Sequence, residues 1–270
     1  MKKLLFIILF IFSTFCFSSV EYNFPSDESL QYKFQINGPI LYQFGNVSQN
    51  KFNVVARGII KFKTLKVEEN KYTVKITPFK TFISLNDAVL EDLTESETAI
   101  SHIISSSEMV IGKNGKVFEI KEISQGILNI AQFFKIIPVF PEKLRNGKRW
   151  KQYFSSFQLP SVPACTLKFN YIYKREDKEK SKINIFSNQI IRERQKEGDI
   201  QIIINGKNTS NGEFIFNEKE GEIEKFKGKF NISLSVLFKV PPSPEAEKKT
   251  KQTVPLYIDV SLNINFLKIK

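Results

Sequence analysis

The chain has 270 residues, 41% of them apolar, with 26 phenylalanines and a formal charge of +12 from 40 basic and 28 acidic side chains. Its two cysteines and one histidine are a poor supply for a structural zinc site, which takes three or four such ligands. The positive charge does not point to nucleic acid. Arginine, suited to bidentate phosphate contacts, is scarce, and the lysines alternate with glutamates in KREDKEK (174–180) and NEKEGEIEK (217–225).

Residues 1–18 set Lys2 and Lys3 before the apolar run Leu4 to Phe12, with small residues after it. This resembles a bacterial secretory signal peptide cleaved after Ser18, so the expected location is the periplasm or the cell surface and exterior. Phe15 stands directly before Cys16, where a lipidated precursor would carry a small residue. Cleavage leaves a charge of 12 − 2 = +10 and Cys165 as the remaining cysteine, so packing alone must hold the exported chain. The remainder, 19–270, is expected to be one β-rich domain: a strand block at 30–121, a helix and connector at 122–150, and a second strand block at 151–270.

Val20 to Ser29 reads as a polar lead-in. Leu30, Tyr32, Phe34 and Ile36 alternate with polar residues, as in a strand with one wet face. Asn37-Gly38 is a hairpin signal, with Ile40 to Phe44 returning. Phe52 to Val67 is a long strand whose apolar phase slips near Thr64, which predicts a bulge there. Tyr72 to Ile76 alternates up to Pro78, and Phe79 to Leu85 continues extended. Between Asn86 and Ser107, Thr94 with Glu97 fits a capping box and the later alternation fits a strand. Glu108 to Ile111 and Lys116 to Ile120 form a hairpin about Asn114-Gly115.

The stretch Glu122 to Trp150 holds the one helical pattern. Ile123, Ile127, Ile130, Phe134 and Ile137 make a stripe of 3.5 to 3.6 periodicity, ended by Pro138. Asn146-Gly147 then offers a turn before Trp150. After it come Tyr153 to Leu159, a strand presenting Leu167, Phe169, Tyr171 and Tyr173, and a single returning strand from Ile183 to Ile191. Ile200 to Ile204 and Glu213 to Phe216 flank two Asn-Gly signals, 205–206 and 211–212. Glu222 to Phe238 and Leu256 to Lys268 are the longest strands, joined by a proline-rich, charged tract at 240–255 expected to be mobile.

The expected fold is mainly β: a long, strongly curved antiparallel sheet, a half-barrel, with one amphipathic helix (about 123–137) on its concave face. Strands of this length must coil. A helix of about 14 residues spans only about 21 Å and cannot cover them. Either a second sheet closes the interior or part of it is a cavity for an apolar ligand. The expected lining is Ile127, Ile130, Phe133 and Phe134 from the helix with Phe230, Leu234, Leu262 and Phe266 from the last two strands.

A signal peptide, a curved antiparallel sheet and a helix across its concave face together resemble the half-barrel of bacterial periplasmic lipoprotein carriers and outer-membrane lipoprotein receptors. The run PVFPEKLRNGKRW at 138–150 is similar to a Pro…Gly-x-x-Trp element of secreted bacterial proteins of unknown function. The resemblance implies acyl chains held on the concave face.

No catalytic set emerges. His102 is the sole histidine and lies far in sequence from Cys165, no Gly-x-Ser-x-Gly elbow is present, and the acids Asp87, Glu91, Asp92, Glu95 and Glu97 lack the spacing of a calcium loop. Trp150 reads as a core anchor. The expectation is a non-enzymatic protein, without cofactor or metal, holding a lipid or other hydrophobic ligand. Its partners would be a lipid or lipidated protein and an anionic membrane surface, with no nucleic acid. The alternative is an envelope structural or interaction module with a closed core.

Overall fold

A computed structural model describes residues 20–26, 29–95, 100–124, 126, 129–155, 163–241 and 252–269. The signal-like segment 1–18, Glu97, Ile127 and most of the 240–255 tract lie outside them.

Among the described residues fourteen strands form one antiparallel sheet, and the sheet is not closed. They are β1 (Leu30–Phe44), β2 (Asn50–Glu68), β3 (Lys71–Leu85), β4 (Ala88–Asp92), β5 (Ser107–Gly112), β6 (Val117–Glu122) and β7 (Arg149–Ser155). The second half adds β8 (Thr166–Arg175), β9 (Lys180–Phe186), β10 (Gln189–Glu197), β11 (Ile200–Asn208), β12 (Asn211–Asn217), β13 (Glu222–Val240) and β14 (Gln252–Ile269). The main path runs β6-β5-β3-β2-β1-β14-β13-β12-β9-β8-β7, so the first and last strands meet in the middle. At about 3.3 Å per residue the 19 residues of β13 reach roughly 60 Å.

Such strands outrun their neighbours, and the sheet forks at two of them. Along β13, β12 covers Glu222 to Lys229 and β11 covers Ile232 to Lys239. Along β3, β5 covers Lys71 to Ile76 and β4 covers Phe82 to Leu85. Pro78, which cannot donate to a ladder, falls in the gap, where one side of β3 has the isolated bridge Phe79–Ile100 and the Leu93 N–H donating to the Thr81 carbonyl (2.7 Å). The same forking divides the strand expected from Ile183 to Ile191. Ser187 leaves the ladder, its N–H donating to the Ser210 carbonyl (2.7 Å) and its hydroxyl to the Lys168 carbonyl (2.7 Å). β9 therefore stays with β8 and β12 while β10 crosses to β11.

The fork at β3 is pinned by a buried carboxylate. Glu91 accepts from the Thr81 hydroxyl (2.9 Å), the Ser101 hydroxyl (2.5 Å) and the His102 N–H (2.7 Å). Glu91→Gln is expected to cost about 1–3 kcal/mol, the penalty of a buried donor losing its acceptor. Faster amide exchange at Ile103 and Ile104 would report it, and unchanged exchange would refute it. The region 86–107 thus contains a short strand, and Thr94 bonds back to Asp92 through its hydroxyl (2.7 Å).

The concave face carries the expected alternation. Phe34, Phe266, Phe226 and Phe214 lie side by side on β1, β14, β13 and β12, with ring centroids 6.2 Å apart for Phe226–Phe266 and 4.3 Å for Phe214–Phe226. Among these rings the face is lined with glycine: Gly38, Gly58, Gly206, Gly212 and Gly228 all point inward. A Cβ on Gly206 would lie 2.3 Å from the Ser233 carbonyl oxygen, and one on Gly58 would meet Phe34 and the Lys80 carbonyl, each at 2.9 Å. Small inward residues allow the strands to close up where the sheet bends.

This corrects three turn expectations. Asn37-Gly38 makes no hairpin, because β1 runs through it with β2 paired alongside from Leu30 to Tyr42. Asn205-Gly206 and Asn211-Gly212 lie inside β11 and β12 rather than in turns. Their glycines serve close cross-strand approach. The bulge expected near Thr64 is present as a register shift between Thr64 and Lys66, and a second shift falls around Gly58.

The helix differs from its expected 123–137. It is a 3-10 helix, Ile130–Ile136, in which Ile130, Phe133 and Ile136 recur every three positions on the buried side, beside buried Ala131. Upstream, Gly126 presses on the chain at Ile103 to Ser105, where a Cβ would come within 2.6 Å of the Ser105 nitrogen. Asn129 is extended (φ −95°, ψ 98°), its Nδ2 donating to Glu122 and its Oδ1 accepting from the Ser107 hydroxyl and the Ala131 N–H. Tied to β5 and β6, Asn129 starts the helix where it stands. Ile123, the first of the expected stripe, is 47% exposed.

Candidate ligand-binding site

The concave face has a sealed end and an open end. At the sealed end, Phe134 of the 3-10 helix meets Phe62 (4.9 Å between ring centroids) and Phe266 (5.8 Å), and the Tyr171 hydroxyl donates to the Ile136 carbonyl (2.8 Å). The helix has help. The lead-in, expected to be polar, inserts Val20 and Tyr22 into the core. The Tyr22 N–H donates to the Lys113 carbonyl (2.6 Å), its hydroxyl donates to the Pro138 carbonyl (3.0 Å), and its ring stacks on Phe140 at 5.3 Å. Lead-in, helix and the connector residues Ile137, Phe140 and Leu144 form a lid of three pieces.

The connector also spans the opening between the two end strands of the sheet. The Phe140 N–H donates to the Asn114 carbonyl at the β5–β6 turn (2.7 Å). On the other side, Gln152 of β7 accepts from the Val139 N–H (2.7 Å) and donates to the Ile137 carbonyl (3.1 Å). Trp150, the expected anchor, is partly buried, stacks on Tyr171 (5.3 Å, 15°) and donates its Nε1–H to Gln152. Cys165 is buried.

Of the eight expected lining residues, Ile130, Phe133, Phe230, Leu234 and Phe266 are buried, Phe134 and Leu262 are partly buried, and Ile127 lies outside the described residues. Phe133, Phe134 and Phe266 do meet around one cavity, together with Tyr22, Phe62 and Phe226. Its volume is about 40 Å³. Water occupies about 30 Å³ of liquid per molecule, and ligand pockets run from roughly 300 to 1,000 Å³. The helix-covered end is a packed core with a water-sized gap.

Along β13 and β14 toward the other end, cover by the described residues is progressively lost. Phe230↔Leu262, Ile232↔Val260 and Leu234↔Ile258 lead to Val236↔Leu256 and Phe238↔Val254. Leu262, Val260, Tyr42 and Phe238 are only partly buried, and Phe44 is 44% exposed. Here an open pocket of about 450 Å³ is lined by Phe44, Pro163, Ile200, Ile202, Phe238, Val240 and Val254, with Glu197 as its one charged residue. None of the eight expected lining residues lines this pocket, since those on β13 and β14 stop short of it, at Leu234 and Leu262. Phe238, already in the inward phase of β13, was the available signal.

The chemistry of the region is that of apolar contact. The His102 side chain is exposed, and among the described residues no group of three or more His, Cys, Asp or Glu side chains is placed to hold a metal ion. No described helix is long and apolar enough to cross a membrane. No family model matches the chain, and no curated protein matches it in sequence.

Proposed function

We propose that this is an exported, non-enzymatic protein that holds the acyl chain of a lipid or lipidated partner at the open end of its half-barrel. The observation that carries the reading is the contrast between the two ends of one apolar face. One end is sealed to about 40 Å³, and the other offers about 450 Å³ of apolar recess to solvent. A closed-core module gains nothing from leaving Phe44 exposed and Phe238 and Val240 only partly covered by the described residues, since apolar surface exposed to water forfeits about 25 cal/mol per Å². A neutral or cationic head group suits the mouth better than a carboxylate, because Glu197 stands there. Export rests on the residue pattern of 1–18.

Titration with the apolar fluorophore N-phenyl-1-naphthylamine, and lipid extraction from purified protein, test the reading. Uptake should be saturable and should weaken about tenfold or more in Phe238→Glu and Val240→Glu, since burying a carboxylate without a partner is strongly unfavourable. No uptake and no extractable lipid, or uptake indifferent to both substitutions, would leave only the closed-core interaction module.

A further inference from the structure

The opposite face of the same strands is built differently. Where β14, β13 and β12 turn outward, a groove of about 590 Å³ is lined by Lys225, Lys227 and Lys229, successive outward residues of one strand. Alternate residues of a strand stand about 6.6 Å apart, so the three ammonium groups form a regular row. None has an ion-pair partner among the described residues. The one carboxylate in the groove, Glu213, is already engaged by Lys182.

Around the lysines the lining is amide. Asn37, Asn184, Asn211, Asn263 and Asn265 come from β1, β9, β12 and β14, and cross-strand register sets Asn37 beside Asn263 and Asn265 beside Lys227. Asn263 donates to Asn37 (3.2 Å), whereas Asn184, Asn211 and Asn265 have no side-chain partner among the described residues. A primary amide offers two donors and an acceptor together. The hydroxyl group, which also donates and accepts, is its natural complement.

Farther along the same outward face lies a second recess of about 600 Å³ holding Gln43, Lys207 and Tyr257, the last 46% exposed, with one carboxylate, Asp259, which accepts from the Ser233 hydroxyl (2.7 Å). From Asn265 to Tyr257 is eight residues of β14, roughly 26 Å. Cations in a row, unfilled amides and one open aromatic face along that length fit an extended chain that carries both hydroxyls and anionic groups. A flat bilayer would touch the rims of a groove and leave its amides empty. Nucleic acid is disfavoured because neither recess contains arginine and only one ring is open for stacking.

We propose that this outward groove binds a linear anionic polysaccharide, its lysines taking the acidic groups and its asparagines the hydroxyls. The proposal does not depend on the acyl-chain reading, which concerns the other face. A decamer of polygalacturonate is the probe, measured by isothermal titration calorimetry at low and at physiological salt, with neutral dextran, polyaspartate and vesicles of phosphatidylglycerol as comparators.

The expected result is polygalacturonate binding that weakens about tenfold or more in the double variant Lys227→Glu/Lys229→Glu, the scale of lost charge-assisted contacts. The charge-conserving Asn263→Ala/Asn265→Ala should weaken it about threefold or more while leaving polyaspartate unaffected. These side chains are outward-facing, so an unchanged thermal midpoint will show that the variants fold. Three results would overturn the proposal: no polygalacturonate binding, binding to every polyanion that ignores the asparagine substitutions, or binding to anionic vesicles alone.

Discussion

Gly38→Val should cost roughly 2–6 kcal/mol of stability, the sum of backbone strain of about 1–3 kcal/mol and overpacking of similar size. Gly38 holds φ at +146°, a conformation reserved for glycine, and a Cβ there would lie 1.9 Å from the Ser261 carbonyl oxygen. That contact is with main chain, so no side-chain rotation relieves it. β1 would have to separate from β14 near Pro39, a point where the ladder already skips from Asn37↔Asn263 to Ile40↔Val260. At about 2–4 °C per kcal/mol for a domain this large, thermal unfolding should show a clear drop. Gly45→Val is the matched control, because Gly45 has positive φ with nothing within 4 Å of its missing Cβ. A loss at Gly38 no greater than at Gly45 would refute steric contact with β14 as the cause.

Gly38 also shows where the sequence could be read and where it could not. Alternation alone set the strands of both halves on their correct faces, since the period of two survives any tertiary context that keeps one side wet. Glycine carried two meanings. At Gly115 and Gly147 it makes the expected turns, with φ of +90° and +80°. At Gly206 and Gly212 the same Asn-Gly dipeptide lets two strands approach within a long ladder. The distinction depends on the partner strand, which local sequence does not name. The helix is shorter and tighter than its pattern for a related reason: IAQFFKII satisfies a period of three as well as one of 3.6, and Asn129, bonded to β5 and β6, selects the first. Tyr22 was misread because its neighbours Glu21, Asn23 and Asp27 are polar, although its own ring fills the core.

These corrections move the candidate site. A helix of about 14 residues was too short a lid by itself, and the remaining cover came from the lead-in and connector rather than from a second sheet. Both pieces are anchored at the β5–β6 turn, through the Lys113 and Asn114 carbonyls, so the lid concentrates at one end of the trough. The far end, beyond Leu234 and Ile258, receives none of it from the described residues.

Stability should fall steeply above pH 10. Tyr22, Tyr32, Tyr171 and Tyr173 are 3%, 7%, 0% and 2% exposed, and burial raises the pKa of each phenol. Tyr173 is pushed up to about 12, by burial first and then by the Glu218 carboxylate that accepts its hydroxyl hydrogen bond. In the unfolded chain these groups ionise near pH 10. Below that pH both states keep these protons, and the tyrosine contribution to stability is flat. Above it the unfolded chain releases protons that the fold retains, so it binds fewer, and unfolding free energy declines with pH by up to about 1.4 kcal/mol per unit for each tyrosine. Four such groups acting together exceed any single substitution considered above within about two pH units. Phenolate absorbance from these four should therefore appear only as β-sheet circular dichroism is lost. Tyr173→Phe, which leaves Glu218 paired with Arg175 at 2.7 Å, should make the decline shallower by about one tyrosine's share between pH 10 and 12. Ionisation of all the tyrosines near pH 10 with the sheet intact would show that the lid and the curled end strands do not enclose these rings.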